Sequence, residues 1–150
     1  VKSPQNFSKI PYLILDGAYT PKSIKLTLET VKNAKIKIDA LLFACAQDKH
    51  SKEIAELFSQ SICTDSQNFQ KIFLTVPGNI KKSDLSEVEN SFVSAGLLFD
   101  SDSNYKKQIE KVLDFCNSNK KTLLITGSFY LVAEVTKILG TRFETPHVIS

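Results

Sequence analysis

The sequence has no methionine and no tryptophan, and Arg142 is the single arginine among its 19 basic residues. Bidentate recognition of phosphates or base edges favours the planar guanidinium fork. A chain whose positive charge rests on scattered lysines is therefore not read as a nucleic-acid binder, and Lys81-Lys82 is too short a run to alter that. Net charge is only +3 over 150 residues. The lack of methionine, with Val1 in first place, leads to the expectation that this is a piece of a longer polypeptide. No apolar run is long enough to cross a bilayer and no signal-peptide pattern opens the chain, so no membrane role and a cytoplasmic setting are expected.

Cysteine and glycine are also sparse. Cys45, Cys63 and Cys116 are odd in number and form no CxxC pair, and His50 and His147 stand at no ligand spacing, which argues against a zinc site. Cys45 lies in an apolar run and Cys116 on a helical stripe, so both are expected to be packed thiols in a reducing compartment. Gly17, Gly78, Gly96, Gly127 and Gly140 are too far apart for GxGxxG or for a Walker-type GxxxxGK[ST] loop. There is no GxSxG elbow. The third apolar run ends Thr75-Val76-Pro77, without the carboxylate that a phosphate-accepting receiver domain needs.

What is present is a regular alternation of apolar runs and helical stripes, with 42% hydrophobic and 23% charged residues, as expected of one globular domain. Tyr12 to Leu15 reads as a strand buried on both faces. It runs into Asp16-Gly17-Ala18, then Thr20 as helix cap and Pro21 in the first turn, with Ile24, Leu28 and Val31 at helical spacing. Ile38 to Ala46 is a second strand, followed by Ser51 as cap of a helix bearing Ile54, Leu57, Phe58 and Ile62. Lys71 to Val76 is a third, closed by Pro77-Gly78. Asp84 and Glu87 resemble a capping box before Leu85, Val88 and Phe92. Gly96 to Phe99 is expected as a short fourth strand, and the polar loop to Asn104 as the cap of a helix carrying Tyr105, Ile109, Val112 and Cys116. Thr122 to Thr126 is a strand, Gly127-Ser128 turns it into a helix from Phe129 to Leu139, and Gly140 stops that helix. His147 to Ile149 is a candidate edge strand. The pattern predicts a three-layer α/β domain with a mostly parallel sheet and helices on both faces.

In such a sheet Asp16, Asp48-Lys49, the loop from Pro77 to Lys82, and Thr126-Gly127-Ser128 share the carboxyl edge, where ligands bind. A carboxylate there accepts ribose hydroxyls, and lysines meet carboxylates or phosphates. Ser128, at a helix N-terminus, offers a hydroxyl and free N–H groups to an anion. The same residues would also serve simply to cap their own turns, and spacing alone leaves both readings open.

Two of these stretches carry a resemblance. Leu15-Asp16-Gly17-Ala18-Tyr19-Thr20-Pro21 resembles the Asp-Gly-Ala-His-Asn/Thr-Pro signature of folylpolyglutamate synthases and dihydrofolate synthases. Ile125-Thr126-Gly127-Ser128-Phe129-Tyr130-Leu131 resembles their Thr-Gly-Ser-Leu-Tyr-Leu segment. Between them Ala46-Gln47-Asp48-Lys49 matches a recurring Asp-Lys, and Val76-Pro77-Gly78 with Lys81 is similar to a proline-rich loop that usually holds arginine. The resemblance implies the C-terminal, Rossmann-like domain of a Mur-ligase-superfamily enzyme, whose larger N-terminal P-loop domain lies outside these residues together with the Mg²⁺ ligands. It implies ATP and Mg²⁺ as cofactors, activation of a folate or dihydropteroate carboxylate as an acyl phosphate, and attack by the amino group of L-glutamate. By position Asp16 would contact the ATP ribose, and Tyr19, Ser128 and Lys49 would face glutamate. Tyr19 stands in place of the signature histidine. The arginine that precedes the first strand falls, counting back without gaps, on Ser3 beside Lys2, so Lys2 is the candidate for the ATP phosphates. The reading expects Asp16 and Ser128 to face a common cleft. The alternatives are a non-catalytic Rossmann-like module with a degenerate nucleotide site, or a Mur-type ligase acting on a cell-wall peptide.

Overall fold

The computed structural model describes residues 7–47, 49–79, 82–140 and 148–149. Strands β1 (Leu13–Leu15), β2 (Ala40–Phe43), β3 (Lys71–Leu74), β4 (Asp100–Ser101), β5 (Leu123–Thr126) and β6 (Val148–Ile149) alternate with helices α1 (Pro21–Asn33), α2 (Ser51–Thr64), α3 (Leu85–Ser94), α4 (Tyr105–Asn119) and α5 (Phe129–Leu139). The sheet order is β4-β3-β2-β5-β1-β6, and every pairing is parallel.

Side-chain alternation along the strands divides the core into two layers. Leu13, Leu15, Leu42, Phe73, Leu123 and Ile125 pack with Ile109, Val112 and Leu113 of α4 and Leu131, Val135 and Leu139 of α5. Phe7 and Ile10, ahead of β1, join that layer. Ile14, Leu41, Phe43, Ile72, Leu74 and Leu124 face the other way, onto α1, α2 and α3. The near-continuous apolar strands thus reflect a sheet covered on both faces, as the sequence pattern predicts. Going from β1 through β4 the chain steps toward one edge with its helices on one face. It then returns through β5 and β6 with α4 and α5 on the other, as right-handed crossovers require when the direction reverses.

Helix starts follow the capping residues, with one exception. Thr20 and Ser23 form a reciprocal capping box at α1, Asp84 accepts from the Glu87 amide at α3, and Asn104 accepts from the Lys107 amide at α4. Ser51, expected as a cap, is instead the first residue of α2. His50 holds the cap position in a left-handed conformation without a side-chain bond, and the Ser51 hydroxyl shares a 2.7 Å hydrogen bond with Ser91 of α3. The fourth strand is also displaced. Gly96, at φ 76°, lets Gly96 and Leu97 donate back to the carbonyls of Val93 and Phe92 and close α3. The residues predicted as strand, 96–99, therefore leave the turn at Gly96 as irregular chain, with Leu98 91% exposed, and pairing with β3 starts at Asp100. A hydrogen bond from Lys111 holds the Asp100 carboxyl below the usual carboxylate range. Its contribution to stability is present above the ordinary carboxylate pKa and fades as pH falls through the lowered value.

Cys45 and Cys116 are buried and Cys63 is exposed. Desolvation, with Glu87 adding to it for Cys45 and Asp39 for Cys116, pushes both buried thiols up to about 12. A thiol reagent at neutral pH is therefore expected to modify Cys63 alone in the folded protein, and the other two only after denaturant is added. Peptide mass mapping reads this directly, and native modification of Cys45 or Cys116 would contradict the packing.

Candidate functional site

Strand β5 lies between β1 and β2, yet α5, which follows it, packs on the opposite face from α1 and α2. The carboxyl ends of these three strands therefore form the topological switch point, where diverging helices leave a crevice. A cleft of about 540 Å³ opens there, lined by Gly17 and Tyr19 after β1, Ala46 and Lys49 after β2, and Gly127 to Tyr130 after β5.

Backbone bonds lock the loops together. The Asp16 amide donates to the Ile125 carbonyl at 3.0 Å, and the Ala18 carbonyl accepts from the Gly127 amide at 2.9 Å and from the Thr126 hydroxyl at 3.3 Å. Gly127 has φ 104°, and a Cβ there would sit 2.2 Å from the Ala44 carbonyl oxygen. Only glycine lets the β5–α5 turn pass so close to β2. Gly17 has a gentler version of the same constraint, since a Cβ would lie 3.3 Å from the Phe129 ring.

Ser128 is 4% exposed and caps α5, its Oγ accepting from the amides of Tyr130 at 3.1 Å and Leu131 at 3.4 Å. The hydroxyl proton is the part of this group that remains for donation into the cleft. Lys49 reaches across from the β2–α2 loop, placing Nζ 5.4 Å from the centroid of the Tyr19 ring. Among the described residues Lys49 is in no ion pair. Phe129, 69% exposed, and Tyr130 meet edge to face at 6.5 Å and form the apolar wall. The arrangement offers one cation, one buried hydroxyl, a helix N-terminus and aromatic faces, which suits an anion attached to a small organic body.

Asp16 sits at the same sheet edge but turns its carboxylate elsewhere. Oδ1 accepts from the Ala18 amide at 2.9 Å and Oδ2 from the Thr27 hydroxyl, in an adjoining groove of about 230 Å³ bordered by Leu26, Thr27 and Thr30. The structure thus gathers Tyr19, Lys49 and Ser128 in one cleft, and it corrects the expectation that Asp16 and Ser128 face a common cleft, because the Ala18 amide and the Thr27 hydroxyl turn the Asp16 carboxylate into the adjoining groove. Lys2, Asp48 and Lys81 lie outside the described residues. Thr27 and the aromatic wall of Phe129 and Tyr130 were not singled out from the sequence. Thr27 is recognisable only once the direction of α1 is known, whereas an aromatic pair directly after a helix-capping serine is a signal that the sequence does hold. Among the described residues no group of three or more His, Cys, Asp or Glu side chains is placed to hold a metal ion, and no helix is long and apolar enough to cross a membrane.

A family model described as the C-terminal domain of dihydrofolate synthetase matches residues 3–138. No curated protein matches the chain. Among solved structures, folylpolyglutamate synthase from Thermotoga maritima is similar at a TM-score of 0.67 over 86% of this chain, with 19% identity. At that identity the likeness is one of fold. The chain spans 28% of that protein's length.

Proposed function

The chain belongs to the family of dihydrofolate synthetase C-terminal domains, and on that premise we propose that it serves an ATP-dependent ligase joining L-glutamate to folate or dihydropteroate. The observation that carries this reading is the convergence of Tyr19, Lys49 and Ser128 on the switch-point cleft. Lys49 takes a glutamate carboxylate as an ammonium–carboxylate pair, Ser128 donates its hydroxyl proton to the same ligand, and Tyr19 walls the entrance. Asp16 receives ribose hydroxyls of ATP. Each of its oxygens already accepts one hydrogen bond, and a carboxylate accepts about four, so capacity remains. Lys2 is assigned to the ATP phosphates. ATP supplies the phosphoryl group that activates the folate carboxylate as an acyl phosphate. Mg²⁺ and its ligands are assigned to a preceding P-loop domain. Within that scheme this domain positions glutamate and nucleotide and closes over them, so its contribution is orientation and charge rather than proton transfer.

The test is to express the full-length gene product and follow ADP release. Release should require ATP, glutamate and a folate or dihydropteroate acceptor together, and a well-folded protein without such turnover would overturn the reading. Ser128→Ala is expected to raise KM for glutamate about tenfold through loss of a hydrogen bond to a charged ligand. Loss of its two capping bonds should cost about 1 kcal/mol of stability. An unchanged KM beside the lowered stability would leave Ser128 as a cap and nothing more.

A second reading, a non-catalytic module with a degenerate nucleotide site, is favoured by Tyr19 in place of the signature histidine and by the prior engagement of both Asp16 oxygens. It requires absent turnover together with ATP affinity that does not depend on Asp16.

A further inference from the structure

Tyr19 and Lys49 come from loops after β1 and β2, which are not neighbours in the sheet, because β5 separates them. Their contact therefore spans the carboxyl end of β5, above the turn that carries Gly127 and Ser128. A distance of 5.4 Å from ammonium to ring centroid is within the range where the negative ring face attracts a cation. Among the described residues no carboxylate pairs with Lys49, and the Tyr19 ring is the contact recorded for its head group. A lysine stem has four rotatable carbon–carbon bonds and wanders unless something holds its end. A tyrosine ring has two torsions and is stiff by comparison. A histidine here would repel the ammonium whenever it is protonated. We propose that Tyr19 is a positioning residue for Lys49: its ring face holds the ammonium over the cleft mouth and fixes where the carboxylate of the incoming amino acid is gripped. The ammonium sits by the ring and Lys49 lines the cleft, so a carboxylate in the cleft can meet it from the side away from Tyr19. This rests on the glutamate reading of the cleft.

The experiment uses the full-length gene product and compares Tyr19→Leu, Tyr19→Phe, Lys49→Ala and the double variant Tyr19→Leu/Lys49→Ala. Lys49→Ala should raise KM for glutamate about tenfold or more, and Tyr19→Leu about two- to fivefold, with KM for ATP unmoved. Tyr19→Phe, which keeps the ring face, should recover the loss seen with leucine. The double variant should be no worse than Lys49→Ala alone, since a positioning residue has nothing left to position. Multiplicative losses, or a phenylalanine as damaging as leucine, overturn the proposal. An unchanged glutamate KM in Lys49→Ala overturns the glutamate reading instead. Reductive ¹³C-methylation of the lysines gives a readout independent of turnover. The Lys49 signal, assigned by its loss in Lys49→Ala, should be shifted upfield by the ring, keep that shift in Tyr19→Phe and lose it in Tyr19→Leu. An unshifted signal overturns the contact, and a shifted signal that ignores added L-glutamate overturns the assignment of the ligand.

Discussion

Gly127→Ala is expected to lower the unfolding free energy by about 3–5 kcal/mol, a large part of the usual 5–15 kcal/mol margin. Two costs combine. At φ 104° an L-residue is strained, at about 1–3 kcal/mol. The added Cβ also meets the Ala44 carbonyl oxygen at 2.2 Å and the Phe43 ring at 2.5 Å and 2.8 Å, and overpacking of this kind costs about 1–3 kcal/mol. Neither neighbour has room to retreat. Phe43 is fully buried and packs against Phe58 and Phe92 at 5.6 Å and 5.4 Å between centroids. Ala44 continues a strand held in register with β5. Urea unfolding monitored by circular dichroism would measure the loss. Gly96→Ala is the control, because Gly96 also has positive φ but nothing within 4 Å of the added atom, so its cost should be near the strain alone, about 1–2 kcal/mol. A loss at Gly127 no greater than at Gly96 would show that the turn yields, and that the close approach of β2 and β5 does not shape the cleft.

Asp16→Asn should weaken ATP binding by about two- to thirtyfold while leaving glutamate KM within a factor of two. A hydrogen bond to a charged group contributes about 1.5–3 kcal/mol, against about 1 kcal/mol for a neutral pair, and the substitution removes the charge with little change of shape. The asparagine oxygen can still accept from the Ala18 amide, and its NH₂ can donate to the Thr27 hydroxyl, so the β1–α1 turn should persist. Thermal melting checks that point. Thr27→Val separates the two roles of the neighbour, because it removes the hydroxyl that holds Asp16 Oδ2 without touching the charge. Its ATP affinity should fall less than that of Asp16→Asn. If Asp16→Asn binds ATP as the unmodified protein does, the carboxylate belongs to its own turn, and the non-catalytic reading gains.

How far the sequence reached depended on the range of the interaction involved. The layered fold was legible because apolar runs such as Leu123-Leu124-Ile125 need cover on both sides, a demand local in sequence. Thr20, Asp84 and Asn104 could be read as caps for the same reason, since each satisfies the amide three residues on. Ser51 failed because its partner, Ser91, lies 40 positions on, and nothing local says that a buried hydroxyl on α3 competes for it. The fourth strand failed because Leu97-Leu98-Phe99 looks like a strand, while closure of α3 through the Gly96 and Leu97 amides delays pairing until Asp100. At the site, the motif residues were visible but their pairing was not. The Tyr19–Lys49 contact and the Asp16–Thr27 bond both depend on how separate elements are aimed, which periodicity does not encode.

Leu123 is bonded in register to Leu13 on one side and Ala40 on the other. The third member of that trio leaves the ribosome long after the first two and closes the gap between them. Until it arrives, those early segments have two unsatisfied edges, and such edges invite association with other chains. A product cut short before Leu123 would also lack Ser128 and the turn that Ala18 grips. Such a fragment would keep open strand edges and lack one wall of the cleft, so the pocket and the sheet's integrity are gained or lost in one step.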